Sequence, residues 1–269
     1  MPVILALDAA WTETEPSGVA LLAGRNRKWK CLCVAPSYEA FYACACGGRV
    51  DWGQPKFGGC SPDVGELLKA ARAIAGADVN LVAIDMPLAT VPFSRRRAAD
   101  DAISRAFGGR GCSAHSPNAI RPGPLGARLM AELRKAGYPL ATVEGTMRAT
   151  GNTIEVYPHP ALLALLGVSC RFPYKAQKSS RYWPDVSLRG RIKELLRQFG
   201  AIRSALENHL GKTGVPLPPA HEVSTLSTLK RYEDGLDALV SAWVGTQFLA
   251  GDATAYGDST AAVWIPRSN

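Results

Sequence analysis

Two short, largely apolar segments of this chain each end in an aspartate, and they constrain the fold more than any other feature. Residues 3–7 (VILAL) lead directly into Asp8, and residues 79–84 (VNLVAI) lead directly into Asp85. Such runs are typical of strands that are buried on both faces of a sheet. We therefore expect two central strands that direct their carboxylates the same way.

The segments between and after these strands complete an α/β pattern. With the first strand, residues 18–22 and 28–35 predict a three-stranded antiparallel meander. Further strands are predicted at residues 153–156 and 262–265. Helices are predicted at residues 94–107, 127–136 and 161–166, from Ser61 to Gly76, from Ser187 onward and from Asp234 onward.

The length and the composition bound the domain organisation. A chain of 269 residues that is 47% hydrophobic can bury a large core, which excludes a disordered chain, a collagen and a small disulfide scaffold. We expect a single domain over residues 1–269. Residues 86–150 contain a Gly-, Pro- and Ser-rich stretch and are interpreted as an insertion or lid, and residues 171–212 are interpreted as a helical basic segment.

The apolar segments of the sequence indicate whether the protein enters or crosses a membrane. No apolar run reaches the roughly 18 residues that span a bilayer, and the N-terminal sequence lacks the pattern of a signal peptide. We therefore expect a cytoplasmic protein with no membrane association.

The odd number of cysteines, seven, predicts reduced thiols. Cys44, Cys46 and Cys60 form the only zinc-like group, and the one-residue spacing of the first two argues against zinc.

The positive charge is concentrated in two blocks. Residues 95–135 hold nine Lys and Arg against three Asp and Glu, and residues 171–212 hold ten against three, within a net charge of +8. Blocks of this kind attract phosphate-bearing polyanions, so nucleic acid or a phosphorylated metabolite is the expected partner. A solvated helix face is the alternative interpretation for either block.

Acidic residues stand at four places where predicted elements end: Asp8, Asp85, Glu155 and the pair Asp234 and Asp237. A lone carboxylate is costly to bury, and Mg²⁺ or Mn²⁺ bound by carboxylate oxygens offsets that cost. Two such ions can clamp the attacking and leaving oxygens of a phosphodiester. Taken singly, each acid also has an ordinary explanation as a cap or an ion-pair partner. Their joint occurrence favours a metal site.

The order of these elements resembles the ribonuclease H-like superfamily. Four motifs are, more closely, similar to those of the bacterial "domain of unknown function 429" family of predicted nucleases. They are IDMPL at 84–88, the stretch from RAAD to GRGCS at 97–113, IEVYP at 154–158 and DGLDAL at 234–239. The resemblance covers most of the chain.

This resemblance implies an α/β fold with a ribonuclease H-like mixed sheet of five strands. The first three strands would be antiparallel, and helices and an inserted helical and loop region would flank the sheet. Asp8, Asp85 and Asp237 would be metal ligands at the carboxyl ends of the strands, with Asp234 as a further ligand and Glu155 as a further catalytic candidate. Residues 86–150 would control substrate access.

Candidate nucleic-acid contacts lie in the two basic blocks. Arg95, Arg96 and Arg97 are interpreted as phosphate-binding residues or as a solvated helix surface. Lys175, Lys178 and Arg181 lie among Tyr174, Tyr182 and Trp183, a mixture that suits stacking on unpaired bases or ordinary packing of a loop.

Two histidines lie near these candidate residues. His159 follows the segment with Glu155 and is interpreted as a helix-capping residue in preference to a general base or metal ligand. His115 lies in the Gly/Pro/Ser-rich stretch and has the same ambiguity.

Together these features predict a Mg²⁺- or Mn²⁺-dependent nuclease, a hydrolase of phosphodiester bonds. One alternative is a non-catalytic nucleic-acid-binding module that keeps the acids. Another is an actin-like or sugar-kinase phosphotransferase, which is disfavoured because no glycine follows Asp8 before Gly18. The chain also has no nucleophile elbow, no dinucleotide fingerprint and no Walker-type lysine loop.

Overall fold

A single mixed sheet organises the chain. A computed structural model describes residues 1–25, 28–118, 120–144 and 150–267, in which seven strands and eight α-helices are formed. The strands are β1 (Val3–Asp8), β2 (Gly18–Arg25), β3 (Lys28–Ala35), β4 (Leu81–Ile84), β5 (Asn152–Val156), β6 (Ala253–Gly257) and β7 (Ala262–Pro266). The helices are α1 (Tyr38–Ala45), α2 (Val64–Ala75), α3 (Ala98–Phe107), α4 (Pro124–Lys135), α5 (Pro158–Leu166), α6 (Ser179–Tyr182), α7 (Leu188–Leu210) and α8 (Leu226–Leu249).

The strand order is β3-β2-β1-β4-β5-β7-β6. Strands β1 to β3 pair antiparallel, which confirms the predicted meander, whereas β1, β4, β5 and β7 run parallel to one another. The five strands that the resemblance implies are too few, since the sheet has seven. The individual segments predicted six of these strands. The one that they missed, β6, is a half-buried edge strand antiparallel to β7, and its sequence ATAYG lacks a continuous apolar run.

Alternate residues of β1 pack against opposite layers of helices. Ile4 and Ala6 join the core formed with α5, α7 and α8. Val3, Leu5 and Leu7 join the core formed with α1, α2 and α4. Burial on both faces explains the unbroken apolar sequence of this strand.

The starts of several helices differ from the prediction. Asp63, not Ser61, caps α2 and accepts a hydrogen bond from the backbone N–H of Glu66 at 3.0 Å. Helix α3 begins at Ala98 rather than at residue 94, because Arg97 is extended and directs its side chain inward. Asp234 does not open a helix, since α8 begins eight residues earlier at Leu226. Helix α1 was not predicted.

Residues 86–150 contribute two of these helices. Helix α3 packs against β6 and β7, and α4 packs against α2. Residues 119 and 145–149 of this region lie outside the described residues, and a lid role remains a prediction.

All seven cysteines are free thiols. Among the helices of the described ranges, none is long and apolar enough to cross a membrane.

Candidate active site

The candidate site lies at the carboxyl ends of the two central strands. Asp8 is the last residue of β1, and Asp85 directly follows β4, whose register places Leu7 opposite Ile84. Helix α8 packs along one face of β1, β2 and β4, and its N-terminal half, with Asp234 beside Gly18, lies at this end of the sheet. The two strands and the helix therefore bring acids from three parts of the sequence together.

Gly18 allows the close approach of α8. It pairs with Asp8 across β1 and β2, and a Cβ atom built on it would lie 2.1 Å from the backbone oxygen of Asp234. No side chain larger than hydrogen fits at that distance. The glycine thus places Asp234 next to the end of β1.

Asp237 is fully buried and accepts two hydrogen bonds. The Tyr174 hydroxyl donates to its Oδ1 at 2.6 Å, and the Lys175 ammonium donates to its Oδ2. Lys175 also forms an ion pair with Glu233 at 3.3 Å, and the backbone N–H of Ala176 donates to Glu233 at 2.7 Å. Residues 174–176 are therefore bound to the acids of α8.

Asp234 is buried as well, but only half of its carboxylate has a partner. Lys230, one turn earlier on α8, donates to Oδ1. Within the described ranges, Oδ2 is buried without a hydrogen-bond partner. A buried carboxylate oxygen with no donor is costly and is typical of a site that binds something else.

The carboxylates repel one another. Burial, followed by the charges of Asp8 and Asp237, raises the pKa of Asp85 well above its ordinary value. Burial raises the pKa of Asp237 to about 6, although Lys175 opposes the change. Burial also raises the pKa of Asp234, opposed by Lys230.

The lysines do not neutralise the cluster. Burial disfavours the charged form of Glu233, but Lys175 and Lys230 together lower its pKa. Two ammonium groups therefore face five carboxyl groups. These are Asp8, Asp85, Glu233, Asp234 and Asp237.

Glu155 has a different environment. Arg97 holds both of its oxygens, at 2.6 and 2.7 Å, and the backbone N–H of Leu88 donates to it at 2.8 Å. Burial still raises the pKa of Glu155, against the lowering effect of Arg97. Its carboxylate is fully engaged in fixing the segment that follows Asp85.

The three arginines expected to contact phosphate have different positions. Arg97 is buried with Glu155 and Asp100, so the structure gives it an internal role instead of the expected one. Arg96 donates to the backbone oxygens of Asp100 and Ala114 and to serine hydroxyls, and it holds the following loop. Arg95 is exposed.

The second group of expected phosphate-binding residues is also divided. Lys175 is engaged with the acids of α8, Lys178 is half-buried in a cleft beside them, and Arg181 is exposed. The cleft has a volume of about 230 Å³. Its lining includes Asp85, Glu233, Trp11, His115, Tyr157, His159, Arg171, Tyr174 and Lys175.

His159 is buried in the wall of this cleft, at the start of α5. The Arg171 guanidinium contacts its Nε2, and burial followed by the charges of Lys175 and Arg171 lowers its pKa well below the ordinary value. The ring is therefore neutral at pH 7. His115 lines the same cleft, and burial together with Lys178 and Arg171 lowers its pKa.

The donor set suits a hard divalent cation. Carboxylate oxygens are the preferred ligands of Mg²⁺ and Mn²⁺, and both the excess negative charge and the unpartnered Asp234 oxygen fit such an ion. Across the described ranges, however, no group of three or more His, Cys, Asp or Glu side chains is arranged to hold a metal ion. Lys175 and Lys230 instead bind Asp237 and Asp234.

Sequence reasoning missed several residues of this site. Lys230 and Glu233 could have been found from their spacing, because they precede Asp234 and Asp237 by one helical turn. Arg171 and the pairing of Lys175 with Asp237 leave no local signal, since 62 residues separate that pair.

The fold and the site define an α/β protein whose mixed seven-stranded sheet carries a buried carboxylate cluster at the ends of its central strands. A family model described as "Protein of unknown function (DUF429)" matches residues 8–261. The chain belongs to this family, as the motifs predicted. No curated protein and no solved structure matches it.

Proposed function

We propose that this protein is a divalent-metal-dependent phosphodiesterase that cleaves nucleic acid, with a ribonuclease H-like fold. One observation carries the proposal: Asp8, Asp85 and Asp237 converge from β1, β4 and α8. Besides burial, the charges of Asp8 and Asp237 raise the pKa of Asp85, and the charge of Asp8 raises the pKa of Asp237. A divalent cation relieves such repulsion, which a single lysine does only in part.

The topology of the first five strands supports the fold assignment. Strands β1, β2 and β3 are antiparallel, and β4 and β5 then continue the sheet on the other side of β1 as parallel strands. This is the arrangement that the resemblance to ribonuclease H-like proteins implies. In this interpretation, β6 and β7 extend the sheet beyond β5.

The chemistry is divided among the residues of the site. Asp8, Asp85 and Asp237 would hold the metal, with Asp234 as a further ligand. A bound Mg²⁺ or Mn²⁺ supplies a Lewis acid and lowers the pKa of a water molecule. Lys175, which reaches both the acids and the cleft, would stabilise negative charge on phosphate oxygens.

Glu155 is a positioning residue in this scheme rather than a ligand. With Arg97 it holds both the N–H and the C=O of Leu88. The segment from Asp85 to Leu88 is therefore fixed at both ends, by β4 and by this ion pair. A fixed backbone keeps the Asp85 carboxylate in place as charge develops.

The proposal is tested by cleavage of labelled single-stranded, duplex, hybrid and branched DNA and RNA with Mg²⁺ or Mn²⁺. We expect cleavage by the wild type and a loss on the order of 100-fold or more in Asp8→Asn and Asp85→Asn, as for other groups that stabilise a transition state. Asp185→Asn, at an exposed aspartate that does not line the cleft, is the matched control. Full activity in Asp8→Asn would contradict the proposal.

A second candidate is a nucleic-acid-binding module without catalysis. It is favoured by the ion pairs that Lys175 and Lys230 make with Asp237 and Asp234, since internal neutralisation leaves fewer oxygens for a metal. Binding that weakens steeply with salt, with no metal-dependent cleavage of any substrate in the panel, would select this candidate.

A further inference from the structure

The cleft beside the carboxylate cluster has one wall of unneutralised cations. In the part of the chain that the structure describes, neither Arg171 nor Lys178 forms an ion pair with a carboxylate. Burial and the charges of Arg171 and Lys175 lower the pKa of Lys178. Cations that repel one another in a cleft attract an anion.

The same wall holds two buried N–H donors without partners in the described ranges. One is Arg171 Nε, and the other is Nδ1 of His159, a side chain of which only 5% is exposed. Arginine can only donate, so His159 Nε2 accepts from it and the proton of the neutral ring is assigned to Nδ1. Buried donors are normally satisfied, so these two nitrogens, which lie behind the surface of the wall, add to its positive character without facing the cleft.

The backbone around this wall is built to hold Arg171. The N–H of Arg171 donates to the carbonyl of Arg110 at 2.8 Å, and its guanidinium lies 3.4 Å from the carbonyl of Gly111. Gly111 has a φ of +78°, which favours glycine. The GRGCS motif at 109–113 thus positions Arg171. Among the described residues, Arg171 makes no contact that the carboxylate cluster requires.

Helix α5 adds a further favourable element. It begins at Pro158 and His159, which both line the cleft, and its nine residues direct the positive end of the helix dipole there. Such an end attracts anions through the field of the dipole, since Pro158 and Pro160 carry no backbone N–H to donate. The acids Asp85 and Glu233 also line the cleft and belong to the carboxylate cluster. The cleft therefore has both acidic and basic lining residues.

We propose that this cleft binds one phosphate group of a nucleotide, held by Arg171 and Lys178. The volume of about 230 Å³ lies near the lower end of typical ligand pockets, roughly 300 Å³, and suits a group of about the size of one nucleotide. Trp11 and Tyr157 in the lining offer faces for a base. This inference deepens the proposed function and rests on it for the identity of the substrate.

The test measures binding without metal, so that it is independent of cleavage. Adenosine 5′-monophosphate, inorganic phosphate and adenosine are titrated into the full chain by calorimetry with EDTA at pH 7.5. We expect the nucleotide and phosphate to compete for one site and adenosine to bind at least about tenfold more weakly than the nucleotide. A 5′-phosphorylated trinucleotide in a parallel titration shows whether the phosphate of a strand end or of a free nucleotide is preferred; stronger binding of either one supports the site.

Matched variants locate the site. Arg171→Gln and Lys178→Gln should each weaken nucleotide binding by about tenfold or more, the loss of one charged hydrogen bond. Arg49→Gln, at an exposed arginine that does not line the cleft, should change it by less than about twofold. If Arg171→Gln does not fold, the ¹⁵N resonance of His159 Nε2, which contacts Arg171, replaces it as the readout in the wild type, and should shift with the nucleotide but not with adenosine.

Two results would overturn the inference. One is no binding of any phosphate compound by the folded wild type. The other is equal weakening by Arg49→Gln and Arg171→Gln, which would indicate diffuse attraction rather than a site. Phosphate binding without any metal-dependent cleavage would support the site while contradicting the proposed nuclease, so the two failures are distinguishable.

Discussion

Asp85 and Glu155 lie at the ends of neighbouring parallel strands, yet their carboxylates differ in what surrounds them. Ile84 pairs with Glu155 across β4 and β5. Glu155 meets an arginine and a backbone N–H, whereas Asp85 meets Asp8 and Asp237. The first arrangement stabilises the fold. The second costs stability and is retained where function requires it.

Replacing Asp85 should therefore stabilise the protein near neutral pH. Its pKa is raised in the folded state, so the folded state retains a proton that the unfolded state releases, and stability falls as the pH rises above about 4. Because Asn cannot ionise, the Asp85→Asn variant does not lose stability in this way as the pH rises. In EDTA, we expect the Tm of Asp85→Asn to exceed that of the wild type by a few degrees at pH 7.5 and the difference to shrink toward pH 4. A lower Tm for the variant at pH 7.5 would contradict the electrostatic account.

Replacing Arg97 should have the opposite effect. Arg97→Ala leaves the buried carboxylates of Asp100 and Glu155 without their cation, which costs about 3–5 kcal/mol when a buried pair is broken. The neighbouring Arg95→Ala removes an exposed arginine and should cost less than about 0.5 kcal/mol. Urea denaturation of both variants measures the difference, and equal midpoints would refute the assignment of Arg97 as a buried structural residue.

Among the secondary-structure elements, α8 determines whether the site forms. Of its 24 residues, the buried set includes Glu233, Asp234 and Asp237, and the helix packs against β1 and β2. Its approach to the sheet depends on Gly18, where helix and strand backbones meet. The position of the acids is therefore a consequence of helix docking.

Gly18→Ala should separate α8 from β2. The added Cβ would lie 2.1 Å from a backbone oxygen of Asp234, and overpacking of this kind costs about 1–3 kcal/mol or more. Gly200→Ala in α7, where a Cβ meets no atom within 4 Å, is the control and should stabilise the protein by about 0.5–1 kcal/mol. Thermal unfolding distinguishes them, and a neutral Gly18→Ala would show that the helix approach is less close.

The sequence predicted the elements whose signals are local. Strands buried on both faces, such as β1, are continuous apolar runs, and Ser187 caps α7 as expected, with its side chain accepting from the N–H of Gly190. The start of α8 was misplaced because Asp234 has the character of an N-cap, although Thr225 occupies that position. The half-buried edge strand β6 has no strong pattern of its own.

Of the residues in the site, the sequence pattern alone predicts those acids that directly follow a buried strand. Asp8 and Asp85 are such acids. The contacts that decide the chemistry, Lys175 with Asp237 and Arg97 with Glu155, join residues 62 and 58 positions apart. Nothing in the local sequence encodes such pairs, because they depend on how the whole sheet and its helices are packed.

The net charge of the whole protein and the charge of its candidate site have opposite signs. The protein carries a net charge of +8, while five carboxyl groups cluster at the carboxyl ends of the central strands. This combination attracts a polyanion over a long range and holds a cation locally.

The long-range attraction should be visible in salt titrations. We expect the logarithm of the binding constant for single-stranded oligonucleotides to fall linearly with the logarithm of the salt concentration. Each phosphate contact should contribute about −0.7 to the slope. Arg189→Gln, at an exposed arginine of α7, should reduce the slope by about that amount if the basic face of this helix contacts the strand. An unchanged slope would identify that face as merely solvated.

The central claim is that Asp8, Asp85 and Asp237 form one cation site. Calorimetric titration of Mn²⁺ into the wild type and Asp85→Asn, in the same buffer, tests it most directly. We expect saturable binding by the wild type and at least about tenfold weaker binding by the variant, with both proteins folded. Equal affinity in the two proteins, or no binding by the wild type, would contradict it.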